Sequence, residues 1–189
     1  MQKKMIILIA GPTASGKSKL GLALAKHFGG EIINADSMQI YKEISILTSK
    51  PTLKERTLIK HNLYGFNSVK SNFTTGDWLS LATKKIDDQW KRNKTPIVVG
   101  GTGLYFKALT DGLAKIPPIP NSLRKNIRQL HKNIGQKKFF LKLLKLDPLA
   151  KKFVSPTDPQ RTIRAYEVKK FTKNSLFELI KQTRSNFDN

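Results

Sequence analysis

A glycine-rich stretch near the start of the chain has the spacing of a phosphate-binding loop. It reads GPTASGKS, in which Gly11 is followed after four residues by Gly16, Lys17 and Ser18. The glycines let backbone N–H groups approach anionic oxygens, and a helix that begins at the loop adds its partial positive charge. Lys17 supplies a further positive charge, and the hydroxyl of Ser18 can ligate Mg²⁺. The pattern therefore predicts a phosphate site and leaves open which phosphate compound it binds.

A carboxylate and a hydroxyl stand at the ends of two later strand-like runs, EIINAD (31–36) and TPIVVGG (95–101). Asp36 ends the first run, and Thr102 directly follows the second. If both runs are parallel strands, their carboxyl ends lie at the sheet edge that carries the phosphate loop, where open α/β folds bind ligands. There, Asp36 can ligate a metal, act as a general base or cap a turn. Thr102 can contact a ligand or belong to an ordinary strand-to-helix turn.

The elements that must hold these side chains alternate between strand-like and helix-like patterns. MIILIA predicts a buried strand from Met5 to Ala10, and KLGLALAKHF after the loop predicts a helix that ends at Gly29 and Gly30. LYFKAL, which follows TPIVVGG, starts another helix. Before TPIVVGG, apolar residues at four-residue spacing predict a further helix: Trp78, Ala82, Ile86 and Trp90. Strands that alternate with helices indicate a parallel sheet.

The proline-rich stretch IPPIP (116–120) interrupts this alternation, because proline supports neither a helix interior nor a central strand. Beyond it the patterns predict helices. Two of them are NSLRKNIRQLHKNI and QKKFFLKLLKL, a third begins at Asp158 and Pro159, and a fourth lies within SLFELIKQTRSNF. We therefore expect an α/β core over residues 1–114 and a basic helical segment over 115–189.

Composition narrows the class of protein. The 189 residues carry a formal net charge of +22 and no cysteine. A charge of this sign predicts a polyanionic partner, with nucleic acid first, although a solvated lysine-rich surface is the alternative. The lack of cysteine excludes disulfides, thiolate nucleophiles and cysteine zinc sites. The first apolar run is too short to span a bilayer, so we expect a cytoplasmic protein without membrane attachment.

Five motifs in order carry a resemblance to a known family. They are GPTASGKS (11–18), DSMQIYK (36–42), Lys50-Pro51-Thr52, GGTGLYFKAL (100–109) and DPQRTIRAYEV (158–168). The chain resembles the tRNA dimethylallyltransferases, also called tRNA isopentenyltransferases, over nearly its whole length. The resemblance implies an α/β fold of the P-loop NTPase type, a parallel sheet core with a helical insertion domain.

The resemblance also implies a reaction. In this family the loop holds the diphosphate of dimethylallyl diphosphate, and the dimethylallyl group passes to N6 of the adenosine 3′-adjacent to the anticodon in tRNA. Asp36 matches the family's general base, and Thr102 matches the residue near the adenine amine. Mg²⁺ is the implied cofactor, with Ser18 as its ligand. The residues expected to bind the diphosphate are those of the loop: Gly11, Pro12, Thr13, Ala14, Ser15, Gly16, Lys17 and Ser18.

For tRNA, the resemblance implies that the target base leaves the anticodon-loop stack. The expected partner is the anticodon stem-loop, and Arg124 stands at a family position that is commonly Gln. Arg161 and Arg164 lie three residues apart, and therefore on one helix face. The positions that match tRNA contacts in the family are Asp36, Ser37, Met38, Gln39, Thr102, Arg124, Gln160, Arg161, Thr162, Ile163 and Arg164.

Two further expectations and two alternatives complete the interpretation. Family members are normally longer and return to the core after the helical insertion, so we expect little transfer activity from a chain without that return. We also expect a monomer. The alternatives are a small P-loop kinase of nucleotides or metabolites, which shares the phosphate loop, and an inactive RNA-binding remnant, which the basic second half would suit.

Overall fold

The computed structural model of the chain describes residues 4–44 and 50–184. The chain divides into two compact units, with the change from one to the other after Gly112. The second unit spans Leu113–Arg184. The phosphate loop, Asp36 and Thr102 belong to the first unit, and Arg124, Arg161 and Arg164 belong to the second.

The first unit contains a four-stranded parallel sheet in the order β1-β4-β2-β3. Its strands are β1 (Ile7–Ala10), β2 (Glu31–Asn34), β3 (His61–Asn62) and β4 (Pro96–Gly100). The register pairs Ala10 with Gly100 and Asn34 with Val99. The carboxyl ends of β1, β2 and β4 therefore meet at one edge of the sheet, as the sequence predicts.

Helices cover both faces of this sheet: α1 (Lys17–His27), α2 (Leu53–Leu58), α3 (Thr75–Lys91) and α4 (Gly103–Asp111). Side chains alternate between the faces of a strand, so Ile33 and Val98 pack with α3 and α4, while Ile32 and Val99 pack with α1. Gly21 of α1 is buried against Val99, where a Cβ atom would lie 2.8 Å from a valine methyl. These contacts hold α1, and with it the phosphate loop, close to β4.

The second unit is helical, with α5 (Asn121–Leu146), a 3₁₀ turn (Pro148–Lys152), α6 (Pro159–Thr172) and α7 (Leu176–Lys181). Gly135, at φ 75°, breaks α5 at the point where the sequence separates two predicted helices. Asp158 caps α6 by accepting a hydrogen bond of 2.9 Å from the amide of Arg161, which confirms the predicted start of that helix. An apolar cluster centred on Phe139 and Leu143 packs α5 against α6.

The structure differs from the sequence expectations in two places. The run from Met5 to Ala10 is not a buried strand: β1 lies at an edge of the described sheet, Ile9 is buried, and Leu8 on the other face is 41% exposed. The sequence patterns also missed α2 and β3, which are short. Among residues 4–44 and 50–184, no helix has the length and apolar character needed to cross a membrane.

Candidate functional site

The phosphate loop has the backbone shape that its glycines allow. Gly16 adopts φ 82° directly before α1 begins at Lys17, and Ala14 is also in the left-handed region at φ 63°. The ammonium of Lys17 donates to the carbonyl of Pro12 and lies 3.5 Å from Oγ of Ser15. The side chain of Lys17 therefore folds over its own loop. Its ammonium lies beside the helix N-terminus, where it can contact an anion bound there.

The turn that follows β2 is held by a buried side chain that the sequence interpretation missed. The amide of Asn34 is fully buried, and its Oδ1 accepts from the backbone N–H of Asp36 at 3.0 Å. Its Nδ2 donates to the backbone carbonyls of Asp36 at 2.9 Å and Leu63 at 3.0 Å. Asn34 therefore fixes the backbone of Asp36 from both sides. The available signal was an amide side chain directly after the apolar pair Ile32 and Ile33 of β2.

Asp36 and Thr102 lie at the same edge of the sheet, and Ser37 connects their segments. The backbone N–H of Ser37 donates to Oγ1 of Thr102 at 2.8 Å, and Oγ1 of Thr102 lies 3.2 Å from Oγ of Ser37. Oδ1 of Asp36 accepts from the backbone N–H of Met38 at 2.9 Å. The carboxylate is half-buried, and its Oδ2 faces Gly101. This brings together the two residues that the sequence predicted to be catalytic.

The glycine pair after β4 permits this approach. A Cβ atom on Gly100 would lie 2.1 Å from the backbone of Ala35, far inside contact distance. A Cβ atom on Gly101 would lie 3.4 Å from the carbonyl of Gly11 and 3.7 Å from Oδ2 of Asp36. Larger residues would separate β2 from β4 or enter the space beside the carboxylate. The function of these glycines is close packing at the site.

A cavity of about 700 Å³ lies between the loop and the Asp36 turn. Its polar lining includes Lys17, Ser18 and the carboxylate of Asp36, and its apolar lining includes Met38, Tyr64 and Val99. Thr13 to Ser18 and Gln39 also line it. A cationic end and an apolar wall in one cavity suit a ligand that carries both phosphate and hydrocarbon.

An aromatic pair packs against β2 at the residue that holds the Asp36 turn. Trp78 stacks on Tyr105 with ring centroids 4.3 Å apart, and Nε1 of Trp78 donates to the carbonyl of Asn34 at 2.7 Å. Burial, together with the nearby Tyr41 hydroxyl and the Asp36 carboxylate, raises the pKa of Tyr105 to about 12. The phenol therefore stays protonated near neutral pH.

The Lys50-Pro51-Thr52 motif combines a helix start with part of a small cavity. Thr52 caps α2 through a capping box with Glu55, in which each side chain binds the other's backbone amide. Lys50 and Pro51 line a cavity of about 60 Å³ next to Ser18. Burial is the main reason that the pKa of Lys50 is lowered, and the neighbouring Arg56 lowers it further.

In the second unit the predicted RNA residues divide into exposed and buried side chains. Gln160, Arg161 and Arg164 are exposed on α6, and Arg124 is partly exposed on α5. Thr162 is fully buried; its hydroxyl donates to the carbonyl of Asp158 at 2.6 Å.

Ile163 packs against the apolar cluster of the unit. The side chains of Thr162 and Ile163 thus stabilise α6, while the arginines and Gln160 lie at its surface.

Comparisons with known proteins find one family. The model of the family described as IPP transferase matches residues 39–188. A tRNA dimethylallyltransferase of Pelagibacter ubique is 52% identical over 187 residues, which cover 99% of this chain and 60% of that protein. One from Rickettsia canadensis is 49% identical, over 94% of this chain and 54% of its own length. The chain therefore spans little more than half the length of these relatives.

Two solved structures are similar as well. A eukaryotic dimethylallyltransferase, described as acting on tRNA, is 31% identical with a TM-score of 0.82, over 96% of this chain and 46% of that protein. A tRNA isopentenylpyrophosphate transferase of Bacillus halodurans is 34% identical with a TM-score of 0.59, over 90% of this chain and 56% of its own. The family match covers more than half of the residues, and the matched range includes Thr102 and the α6 arginines, while the phosphate loop and Asp36 lie before it. The chain therefore belongs to the IPP transferase family.

Proposed function

We propose that the protein transfers a dimethylallyl group from dimethylallyl diphosphate to N6 of the adenosine 3′-adjacent to the anticodon in tRNA, with release of diphosphate. The observation that carries the proposal is the single cavity in which the phosphate loop faces Asp36. The names of the similar proteins supply the substrate class, and the chemistry of the cavity fits both parts of the donor.

The donor binds with its diphosphate on the loop and its hydrocarbon tail toward the apolar wall. Backbone N–H groups at the start of α1 and the ammonium of Lys17 bind the diphosphate oxygens. These groups also stabilise the negative charge that grows on the diphosphate as it leaves, which is the step where fixed positive groups accelerate transfer most. Met38 and Val99 line the part of the cavity that would receive the tail.

Magnesium suits the oxygen groups of this cavity. Mg²⁺ usually takes one or two protein oxygens and completes its shell with water and substrate phosphates. Ser18 and Asp36 both line the cavity, and the described residues contain no group of three acidic, histidine or cysteine side chains that would hold a metal without substrate. Ser18 is therefore the proposed ligand, beside the diphosphate. When bound, the ion would neutralise part of the leaving group's charge.

Asp36 acts as the general base in the proposed step. The N6 lone pair forms a bond to C1 of the dimethylallyl group while the C1–O bond breaks, and its electrons leave with the diphosphate. The proton released from N6 passes to Oδ2 of Asp36, because Oδ1 already accepts from the backbone N–H of Met38. After its contacts with Ser37, the Thr102 hydroxyl has one lone pair left. This lone pair accepts a hydrogen bond from the N–H that remains on N6.

The second unit binds the tRNA in this proposal. Arg161 and Arg164 are exposed on α6, and guanidinium groups bind phosphates through two parallel hydrogen bonds. Ser37 to Gln39 lie beside the cavity and contact the flipped nucleotide. The basic surface adds attraction that does not depend on sequence.

The test measures both donor choice and product. Calorimetry with Mg²⁺ should give tighter binding of dimethylallyl diphosphate than of ATP, and a preference for ATP would favour a kinase. With enzyme in excess over unmodified tRNA, mass spectrometry should detect N6-dimethylallyladenosine. Asp36→Asn should lower the transfer rate by about 10²–10⁴-fold while tRNA binding remains. An equal rate in this variant would contradict the role of Asp36.

A further inference from the structure

A buried carboxylate in the helical unit lies among three arginines. Glu167 of α6 is 1% exposed. Its Oε2 lies 3.6 Å from Nε of Arg124 and 3.6 Å from Nη1 of Arg164, and its Oε1 lies 3.6 Å from Nε of Arg128. Each arginine side chain is itself between 41% and 60% exposed. One buried negative charge thus sits beneath three positive groups that reach the surface.

These contacts are longer than ordinary hydrogen bonds. Within the described residues, Oε1 of Glu167 and Nε of Arg124 have no hydrogen-bond partner. A buried carboxylate without strong partners is costly, and a pure stabilising role would be filled as well by apolar side chains. The net contribution of these ion pairs to stability is therefore small, and their distinctive effect is to draw three guanidinium groups toward one carboxylate.

The geometry leaves the outer ends of the arginines available. Arg124 and Arg128 approach the carboxylate through Nε, and their side chains are 41% and 60% exposed, so a ligand at the surface can reach their terminal nitrogens. A guanidinium group presents its donors in a planar fork that matches two phosphate oxygens. Three positive charges over one negative charge leave an excess of two, which favours an anion at the surface.

We propose that Glu167 is a positioning residue, which holds Arg124, Arg128 and Arg164 in fixed directions for binding to backbone phosphates of RNA. This inference rests on the proposed function, and it adds Arg128 to the RNA-binding residues. Glu167 itself does not contact the RNA. It lowers the entropic cost of binding, because three long side chains are already ordered before the RNA binds.

The sign of the effect separates positioning from simple electrostatics. Glu167→Gln removes a negative charge beneath an RNA surface, so charge alone predicts tighter binding. Positioning predicts weaker binding, because the arginines lose the group that directs them. We expect the affinity of the 189-residue chain for an anticodon stem-loop RNA to fall by about 5–30-fold, within the range of one or two charge-assisted contacts.

The matched control is Glu178→Gln on α7. It makes the same change in charge in the same unit at an exposed residue, and glutamine can keep the capping box with Ser175. This control should bind RNA as tightly as the unmodified chain, or slightly more tightly. Fluorescence anisotropy over a series of salt concentrations measures the affinities, and circular dichroism checks that each variant is folded.

A surface variant covers the case in which Glu167→Gln does not fold. Arg164→Lys keeps the charge and lies at the surface, but it lacks the planar fork, so we expect about 3–10-fold weaker binding at equal charge. Equal or tighter binding by folded Glu167→Gln, or unchanged binding by Arg164→Lys, overturns the positioning role alone. If the unmodified chain does not bind the stem-loop, both this inference and the tRNA part of the proposed function are wrong.

Discussion

The buried side chain of Asn34 binds both the amide and the carbonyl of Asp36, at 3.0 and 2.9 Å. The side-chain Nδ2 of Asn34 also donates to the carbonyl of Leu63, so one residue joins the Asp36 turn to the segment after β3. A general base must stay within hydrogen-bond distance of the proton that it removes. We therefore expect Asn34 to matter for the rate of transfer as well as for the fold.

Asn34→Ala tests this expectation. The change leaves the N–H and C=O groups of Asp36 without their buried partner, which costs roughly 1–3 kcal/mol of unfolding free energy. The transfer rate constant should fall more than the affinity for dimethylallyl diphosphate, because the loop does not depend on Asn34. Urea unfolding and single-turnover kinetics measure the two effects, with the exposed Asn126→Ala as the control. An unchanged rate constant in a folded variant would rule out a positioning role.

Lys17→Met tests the phosphate loop. The ammonium contacts atoms of its own loop, Pro12 and Ser15, so its loss should leave the melting temperature nearly unchanged. Affinity for inorganic diphosphate should fall by about 10–100-fold, as expected for charge-assisted hydrogen bonds. Lys26→Met, in the last turn of the same helix, removes the same charge away from the loop. If both variants lose affinity equally, the loss comes from the lower net charge of the protein and not from a contact at the loop.

Gly100→Ala tests the close approach of β2 and β4. The new Cβ atom would lie 2.1 Å from the backbone of Ala35, and backbone atoms cannot move aside without separating the strands. We expect a loss of about 2 kcal/mol or more in the free energy of unfolding.

Gly103→Ala is the matched control for that loss. Within the described residues, a Cβ atom there has nothing within 4 Å, and the position lies in the first turn of α4. Alanine should therefore be neutral or stabilise slightly. Thermal and urea unfolding of both variants give the comparison. Equal stability of the two variants would show that the sheet adjusts at Gly100.

Glu31→Gln tests the ionic cluster at the other end of β2. Burial raises the pKa of Glu31, but hydrogen bonds from Arg92, Lys94 and Asn62 outweigh it and lower the pKa from 4.5 to about 2. Because the folded-state pKa is the lower one, the stabilisation is present above pH 4.5 and is lost as the pH falls toward 2.

The variant should therefore be less stable than the unmodified chain at pH 7. We expect a difference of roughly 1–2 kcal/mol, since the cationic partners are partly exposed and screened by solvent. This difference should shrink as the pH falls from about 4.5 to 2. Urea unfolding at several pH values measures it. A difference that stays constant with pH would mean that the carboxylate's charge does not stabilise the fold.

Arg161→Ala tests the RNA surface of α6. Its side chain is 73% exposed and is paired with Asp158 at 3.5 Å, so its loss should have little effect on folding. We expect stem-loop affinity to fall by about 5–100-fold and to depend less steeply on salt. Lys84→Ala, exposed on α3 of the other unit, makes the same change in charge. A loss of similar size in Lys84→Ala would indicate general attraction instead of a contact at α6.

Local patterns were sufficient for much of the fold. The loop, the parallel alternation, the amphipathic α3 and the Asp158 cap follow from spacing and residue type over a few positions, and the structure confirms them. Hydrophobic periodicity is less informative for short elements, so β3 and α2 were missed. It also reports average burial, so it could not tell that β1 lies at an edge with Leu8 exposed.

The sequence by itself determined which residues could do the chemistry: the loop, Asp36, Thr102 and the α6 arginines, whose types and order match one family. Only the tertiary structure decided how they meet. Ser37 and Thr102 are 65 residues apart along the chain and join through a hydrogen bond of 2.8 Å. The sequence did not show what Asn34 and Glu167 contact, because a polar residue's role depends on which distant groups surround it once it is buried. Packing places those groups, and no local pattern encodes them.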